Sequence, residues 1–382
     1  MKIMYVAPRF HTNQVPIVKY LLAEGHKVQF VVQRIEQSED KESIEPIVCR
    51  PNFFYKLIEN FKCKGKSAVW KENYRLAHFI PSFRDLFRII SKNRPDILIY
   101  REPCSFSFIA YIIAILLCIP NKILYTQSPC QRPDNTLKRR IIIGMRKLLF
   151  GSRIYSPVYV SCAGYLKYTL YAQGIKFIPF VMDFNKDLYH RTYTKGGKIN
   201  IVDIGKYRDY KDHYVLIKAL ALLPEEYRSI FKVSIVGQCV KDDELKYFHT
   251  LNAYINNNNL ASIVSLYKNV PFSEMNEVYL RNDVFILTSK REFASIAVLE
   301  AMKFGLVCIS TDRNGTATYI NPKFGYLFKA HDEESLKEVL CHLVHKKNDI
   351  WNMGKKTFQY AEKHYSPVAY FSALSELINS KV

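Results

Sequence analysis

The sequence predicts an α/β protein of two domains, each a mostly parallel sheet covered by helices on both faces. Three observations carry this. Apolar segments of strand length alternate with segments of helix length over residues 2–126. A second alternation of the same kind begins near Lys198. Between the two, residues 184–197 are polar and hold a glycine pair, the composition of a linker. Alternation of strand and helix periods is what a parallel sheet with helical crossovers produces. A chain of 382 residues is long enough for two domains of ordinary size.

In the first half, strands are expected at residues 2–7, 27–33, 96–101 and 122–126, with a helix over 13–24. The longest apolar run, 108–119, ends at Pro120 and is too short to span a bilayer, so it reads as a buried helix. Residues 52–94 follow a looser pattern, rich in aromatic and basic residues. In the second half, strands are expected at 199–204, 231–236, 263–266, 284–288 and 306–310. Helices are expected at 214–223, 243–256, 273–281 and 296–304, and a last one at 367–379 after a break at Ser366-Pro367. The domain boundaries that follow are 1–185, 186–358 and a terminal helical segment at 359–382.

The composition is globular, with 48% hydrophobic and 24% charged residues. Residues 1–8 are too short an apolar segment for a signal peptide and read as the first strand. Nine cysteines without a Cys-x-x-Cys pair point to reduced, mostly buried thiols in a cytosolic protein, and away from a zinc site. The formal net charge of +20 is uneven. Residues 1–190 carry 29 Lys and Arg against 14 Asp and Glu, a net of +15, whereas residues 191–382 carry 26 against 21, a net of +5. The excess suggests an anionic partner for the first half. Nucleic acid is disfavoured, because the basic residues are not organised with any recognised binding module.

The chemistry concentrates in residues 291–305. Glu292 and Glu300 are separated by seven residues, nearly all small or apolar, with a strand candidate on either side. Strand, loop, helix and strand make a βαβ unit whose ligand site lies at the carboxyl ends of the strands. Ser295 is placed as N-cap, with the helix starting at Ile296 and Gly305 as its C′ residue. The small residues at the helix start let an anion approach the N–H groups there. Glu300, more than a turn further in, can accept hydrogen bonds from a vicinal diol such as a ribose. A second element, residues 205–213, follows the first strand of the second half. It holds Gly205, Lys206, Arg208 and Lys211, and two lysines five apart on a tight turn can set ammonium groups over a diphosphate.

The stretch 291–305 resembles the nucleotide-sugar-binding motif of the retaining glycosyltransferases with the GT-B fold, of the group 1 or family 4 type. These include many bacterial capsule and lipopolysaccharide enzymes. The resemblance implies two Rossmann-like domains facing across a cleft, with the C-terminal helix crossing back to the first domain. It also implies that Glu300 holds the nucleotide ribose, and that Glu292 with Phe293, Ala294, Ser295 and Ile296 touches the donor sugar. The family often has glycine where this chain has Phe293 and Ser295. Residues 205–211 resemble the family's Gly-Arg/Lys…Lys element, which assigns Lys206 and Lys211 to the donor diphosphate. Lys206 stands where Arg is commoner and would act as a point charge. Arg208 is a further candidate there.

Weaker candidates lie at other strand ends. Gly237 closes the 231–236 strand and is a candidate contact to the base or ribose; Asn314 lies in the loop that lines the donor cleft in the family. His11 follows the first strand. Gln127 stands where many members have a His on the donor sugar, and Glu102 is an acceptor-side candidate. A Walker loop, Gly-x-Gly-x-x-Gly, His-Glu-x-x-His and a DxD-like metal pair are absent from the sequence, so no cofactor and no metal are expected. The expected reaction is transfer of a sugar from a UDP- or GDP-linked donor to a glycan or polyprenyl-diphosphate-linked acceptor, in cell-surface polysaccharide biosynthesis. Residues 135–153, basic and apolar by turns and free of acids, suggest adsorption to an anionic membrane, on the inner face of the cell membrane. Two alternatives stay open: a GT-B nucleotide-sugar epimerase, and a basic nucleic-acid- or membrane-binding protein without transferase activity.

Overall fold

The computed structural model describes residues 1–10, 12–35, 43–67, 70–71, 74–75, 78–127, 137–158, 175–184, 197–292 and 295–380. Two parallel sheets organise the chain. The first holds β1 (Lys2–Ala7), β2 (Lys27–Val32), β3 (Ile47–Val48), β4 (Ile97–Arg101), β5 (Asn121–Tyr125), β6 (Ile154–Ser156) and β7 (Lys176–Phe177), in the order 3-2-1-4-5-6-7. The second holds β8 (Ile199–Ile204), β9 (Phe231–Gly237), β10 (Val264–Lys268), β11 (Val284–Leu287), β12 (Val307–Thr311) and β13 (Tyr326–Phe328), in the order 10-9-8-11-12-13.

Strand residues alternate between two cores. In β1, Met4 and Val6 join one apolar cluster and Ile3 and Tyr5 the other. In β8, Ile199 and Ile201 face one cluster and Val202 the other. Burial on both faces is what parallel sheets require, and it explains why these strands read as unbroken apolar runs.

Among the described residues, one face of the first sheet is covered by α2 (Phe53–Cys63), α3 (Phe83–Asn93), α4 (Ser105–Leu116) and α5 (Leu137–Phe150), which contribute Tyr55, Leu86, Phe106 and Phe150 to a shared core. The other face is covered by α1 (Val15–Ala23) and, from the far end of the chain, by α13 (Pro367–Asn379). The second sheet carries α6 (His213–Ala221), α8 (Asp242–Asn257) and α11 (Glu333–His345) on one face. Its other face carries α9 (Met275–Leu280), α10 (Ile296–Lys303) and α12 (Ile350–Tyr365). A single turn, α7 (Glu225–Arg228), precedes β9.

The chain crosses back where α12 ends. Ser366 caps α13 by accepting from the Ala369 N–H at 3.4 Å, and Pro367, lacking an N–H, suits the first helical turn. Tyr370, Leu374 and Leu377 then pack into the first domain, where the Tyr370 hydroxyl lies 2.9 Å from that of Tyr155. Two domains of this kind joined by a returning helix are the GT-B arrangement.

Several elements differ from expectation. The looser stretch 52–94 contains α2 and α3, and the long apolar run is helical over Ser105–Leu116, shifted towards its N-terminus. That helix buries one side only: Ala110, Ile113 and Ala114 are inside, while Leu116 is 61% exposed. The linker at 184–197 falls almost wholly outside the described residues.

Candidate functional site

Strand order places the site. The second sheet grows outward from β8 in one direction through β9 and β10, and from β11 in the other through β12 and β13. The crevice at the carboxyl ends of β8 and β11 is thus a topological switch point, where open α/β sheets bind ligands. The segment after β8 carries Lys206 and Lys211; the segment after β11 carries Glu292 and leads into α10. The first sheet has its own switch between β1 and β4, beside which Glu102 lies. His11 follows β1 but lies outside the described residues, as do Phe293 and Ala294.

Lys211 and Glu292, eighty-one positions apart, meet: the ammonium donates to Glu292 Oε2 at 2.5 Å. Their side chains are only 14% and 20% exposed. The Ser289 hydroxyl donates to the same oxygen at 3.3 Å. Backbone bonds brace Glu292 from the side of β12. Its N–H donates to Arg313 O at 3.3 Å, and its carbonyl accepts from Gly315 N at 3.0 Å.

Asn314 is fully buried and supports this bridge. Its amide donates to Ser310 Oγ at 3.1 Å, and its carbonyl accepts from Thr316 N at 3.1 Å. Thr316 Oγ1 in turn accepts from the Ser295 N–H at 3.3 Å. Asn314 therefore fixes the loop under Glu292 and the start of α10, with its own amide turned inward. Ser295 is the N-cap residue by backbone geometry, with no side-chain cap bond, and Gly305 takes φ 67° just past the end of the helix. Ile296, half-buried, opens α10.

Glu300 sits one turn into α10. The Tyr279 hydroxyl of α9 donates to its Oε2 at 2.7 Å. Burial pushes the Glu300 carboxyl above the ordinary carboxylate range, against the lowering effects of the Tyr279 bond and of Lys303. One oxygen is thus anchored, which fixes the orientation of the other.

The lysine loop is held from beneath by residues that sequence reasoning missed. Asp203, near the end of β8, is 1% exposed and its Oδ2 lies 2.8 Å from His213 Nδ1. The other ring nitrogen of His213 lies 3.2 Å from the Lys206 carbonyl. Each ring nitrogen thus lies within hydrogen-bond reach of an oxygen, one of the carboxylate and one of the loop backbone. The Thr288 hydroxyl sits between Asp203 Oδ2 at 2.8 Å and the Lys211 carbonyl at 2.7 Å. His213 and Thr288 thus stand between the two ends of the loop and one buried carboxylate, with the single Thr288 proton going to one of its two acceptors at a time. A charged residue inside the apolar strand 199–204 was the available signal. Replacing His213 by leucine leaves Asp203 in a dry site with the Thr288 hydroxyl as its remaining partner, a loss of about 1–3 kcal/mol. The denaturant midpoint is expected to fall accordingly, with His213→Gln losing less; equal midpoints for wild type and His213→Leu would contradict the role.

Gly205 and Gly237 let the loop close on the sheet. A Cβ at Gly237 would stand 2.0 Å from Gly205 O, and one at Gly205 would stand 3.1 Å from the His213 ring and 3.2 Å from Lys211 Cδ. Gly237 thus acts through backbone approach. Arg208 is directed elsewhere: its Nε donates to Glu244 Oε1 at 2.8 Å. Glu244 also accepts from the N–H groups of Val240 and Lys241 at the start of α8, and these bonds with Arg208 draw its carboxyl down to about 2. Gln127 makes its contacts inside the first domain. Its N–H donates to Glu102 Oε1 at 2.6 Å and its amide to the Tyr125 hydroxyl at 2.7 Å. Glu102 holds a left-handed backbone, φ 60°, and burial raises its pKa.

Lys206, Lys211, Glu292 and Glu300 therefore share one end of one sheet, with Lys211 and Glu292 in contact. Among the described residues, no group of three or more His, Cys, Asp and Glu could hold a metal ion.

Comparison with known proteins agrees with this fold. Residues 185–363 match the family Glycosyl transferases group 1. A glycosyltransferase from Rickettsia africae superposes with a TM-score of 0.71 at 15% identity, over 99% of both chains. Anabaena HepE, solved with UDP and glucose, superposes with a TM-score of 0.66 at 13% identity, over 100% of both. Among curated proteins, the Xenopus laevis GDP-Man:Man(3)GlcNAc(2)-PP-Dol alpha-1,2-mannosyltransferase is 29% identical over 121 residues, 30% of this chain and 24% of the relative. The chain matches a third or less of the length of the curated relatives.

Proposed function

We propose that this chain, which over residues 185–363 belongs to the group 1 glycosyltransferases and is built on the GT-B frame, transfers a sugar from a nucleoside diphosphate donor. The observation that carries the reading is the Lys211–Glu292 pair at the switch point, with Glu300 one turn into the helix that follows. A cation suits the diphosphate, a carboxylate beside it suits sugar hydroxyls, and a second carboxylate suits the ribose. The donor is UDP- or GDP-linked, and the acceptor is a glycan or a polyprenyl-diphosphate-linked glycan of cell-surface polysaccharide synthesis. HepE, solved with UDP, and the dolichyl-diphosphate-linked substrate in the name of the mannosyltransferase support those two classes.

In this reading the transfer is retaining and independent of metal. The acceptor oxygen attacks the anomeric carbon on the face from which the diphosphate leaves. The bond from that carbon to the β-phosphate oxygen breaks, with its electron pair staying on phosphate. The acceptor proton passes to that phosphate oxygen, so no side-chain base is assigned. Lys206 and Lys211 meet the charge that grows on the leaving group. The protein works as a peripheral one on the inner face of the cell membrane, its basic first half against anionic lipid. Among the described residues no helix is long and apolar enough to cross a membrane.

Calorimetry with UDP and GDP tests the donor site, and the expected result is binding of one of them. Incubating the protein with the matching sugar nucleotide and no acceptor tests the reaction class. Appearance of an epimerised sugar nucleotide would replace the transferase reading, and failure of both nucleotides to bind would remove the donor site. The anomeric configuration of a product, read by NMR coupling constants, decides retention.

A further inference from the structure

The apolar side of α2 points away from the protein. Tyr55 and Cys63 are 3% and 6% exposed and anchor the helix to the first domain. On the opposite side Phe53, Phe54, Leu57, Ile58 and Phe61 are 69%, 71%, 53%, 49% and 78% exposed. At 3.6 residues per turn these five span an arc of about 140°, centred opposite the buried pair. Soluble helices place their apolar arc inward, so an outward one of this size marks a surface that is covered by something else.

The surroundings say what covers it. Lys56 and Lys62 flank the arc, and Lys64 and Lys66 continue from the end of the helix; all four are exposed. The one acid of the helix, Glu59, is taken by the Arg75 guanidinium. In α5, which packs into the same core cluster, Ile141, Met145 and Leu148 are 52%, 54% and 78% exposed beside an exposed Lys147. Both helices cover the same face of the first sheet, so their apolar stripes look outward from one side. A second copy seated on α2 about a two-fold axis would bring two lysine rims together, which like-charge repulsion opposes. An anionic lipid surface offers hydrocarbon to the rings and phosphate to the lysines.

We propose that α2 is a membrane-insertion element that lies in the plane of an anionic bilayer with Phe53, Phe54 and Phe61 below the headgroups. This deepens the membrane partner of the proposed function and rests on that reading. Lysine attraction brings the domain to the surface and ring burial holds it there. Binding is then expected to need anionic lipid, and to weaken with salt far less than attraction by charge alone would.

The test is sedimentation with vesicles of phosphatidylglycerol and phosphatidylcholine in equal parts, with pure phosphatidylcholine as control. Each Phe→Ser change is expected to lower the partition coefficient roughly tenfold, in line with the transfer free energy of an aromatic side chain. Because the rings are exposed, the variants should keep the wild-type melting temperature and nucleotide binding. A second readout uses Trp70, which lies close by with Lys66 over its ring at 5.6 Å. The chain has two tryptophans, so in a Trp351→Phe background the emission of Trp70 is expected to shift to the blue on vesicle binding. Unchanged sedimentation of Phe53→Ser/Phe54→Ser/Phe61→Ser would overturn the proposal. If neutralising Lys138, Arg139 and Arg140 abolished binding while the triple variant bound normally, the membrane reading would stand and the role of α2 would fall. A wild-type dimer dissolved by the triple variant, with no vesicle binding, would assign the surface to a second copy and overturn both.

Discussion

Lys211→Ala is expected to lower kcat by about a hundredfold or more, the scale on which a fixed donor to a developing oxyanion acts. Lys206 shares the loop, but its carbonyl and not its ammonium is what His213 fixes, so its charge is the freer of the two. Lys211 is set at both ends. Its carbonyl is held by Thr288 and its ammonium by Glu292. An ammonium has three donors, so it can keep Glu292 and still meet a phosphate oxygen. The pair thus presents a preset cation, with little side-chain freedom left to lose when the charge appears on the leaving group. Removing the lysine also leaves Glu292, four-fifths buried, facing the same anionic phosphate. Repulsion should therefore add a binding defect to the kinetic one. Glu292→Ala in the Lys211→Ala background is expected to recover part of the nucleotide affinity, though not the turnover. A double-mutant cycle by calorimetry and steady-state kinetics checks this. Additive losses in affinity would mean that the two side chains act independently, and near-wild-type kcat in Lys211→Ala would displace the diphosphate site from this loop.

Much of the architecture was legible because parallel strands buried on two faces leave unbroken apolar runs. The strand Ile199–Ile204 and the helix Pro367–Asn379 lie where the sequence predicts them, the latter because Ser366-Pro367 is a cap followed by a first-turn proline. The helix after Glu292 was legible from Gly305, whose left-handed backbone ends it. α2 was not, because its apolar arc faces outward and so breaks the inward pattern on which helix reading depends. At the site, residue types were legible and pairings were not. Nothing local links Lys211 to Glu292, Asp203 to Thr288, or Tyr279 to Glu300, since strand order decides which loops meet. Arg208 shows the same limit. Beside two lysines it is a further candidate for the diphosphate, and its Nε bond to Glu244, thirty-six positions on, has no local signal.

Glu300→Ala is expected to raise the Kd for the nucleoside diphosphate about ten- to a hundredfold, the equivalent of one hydrogen bond to a charged group. Part of any wider effect would come from Tyr279. That residue is 2% exposed, is stacked on Phe304, and loses its hydroxyl's acceptor in this variant. Glu300→Gln keeps a carbonyl for Tyr279 and removes only the charge, so it separates the two causes. The pH dependence separates them further. Burial raises the Glu300 carboxyl, and ribose hydroxyls donate more strongly to its ionised form, whose oxygens only accept. The bound state therefore has the lower pKa. The affinity that Glu300 supplies is complete above the pKa of the free protein and is lost as pH falls through it. This loss should begin at higher pH than for an ordinary carboxylate. Tyr279→Phe removes a bond that favours the ionised form, so the acid limb of nucleotide binding is expected to move to still higher pH. In Glu300→Gln the limb should vanish, because no proton can be taken up there. Calorimetry across the acid range would settle the assignment: an acid limb in Glu300→Gln matching that of wild type would mean that another group holds the ribose.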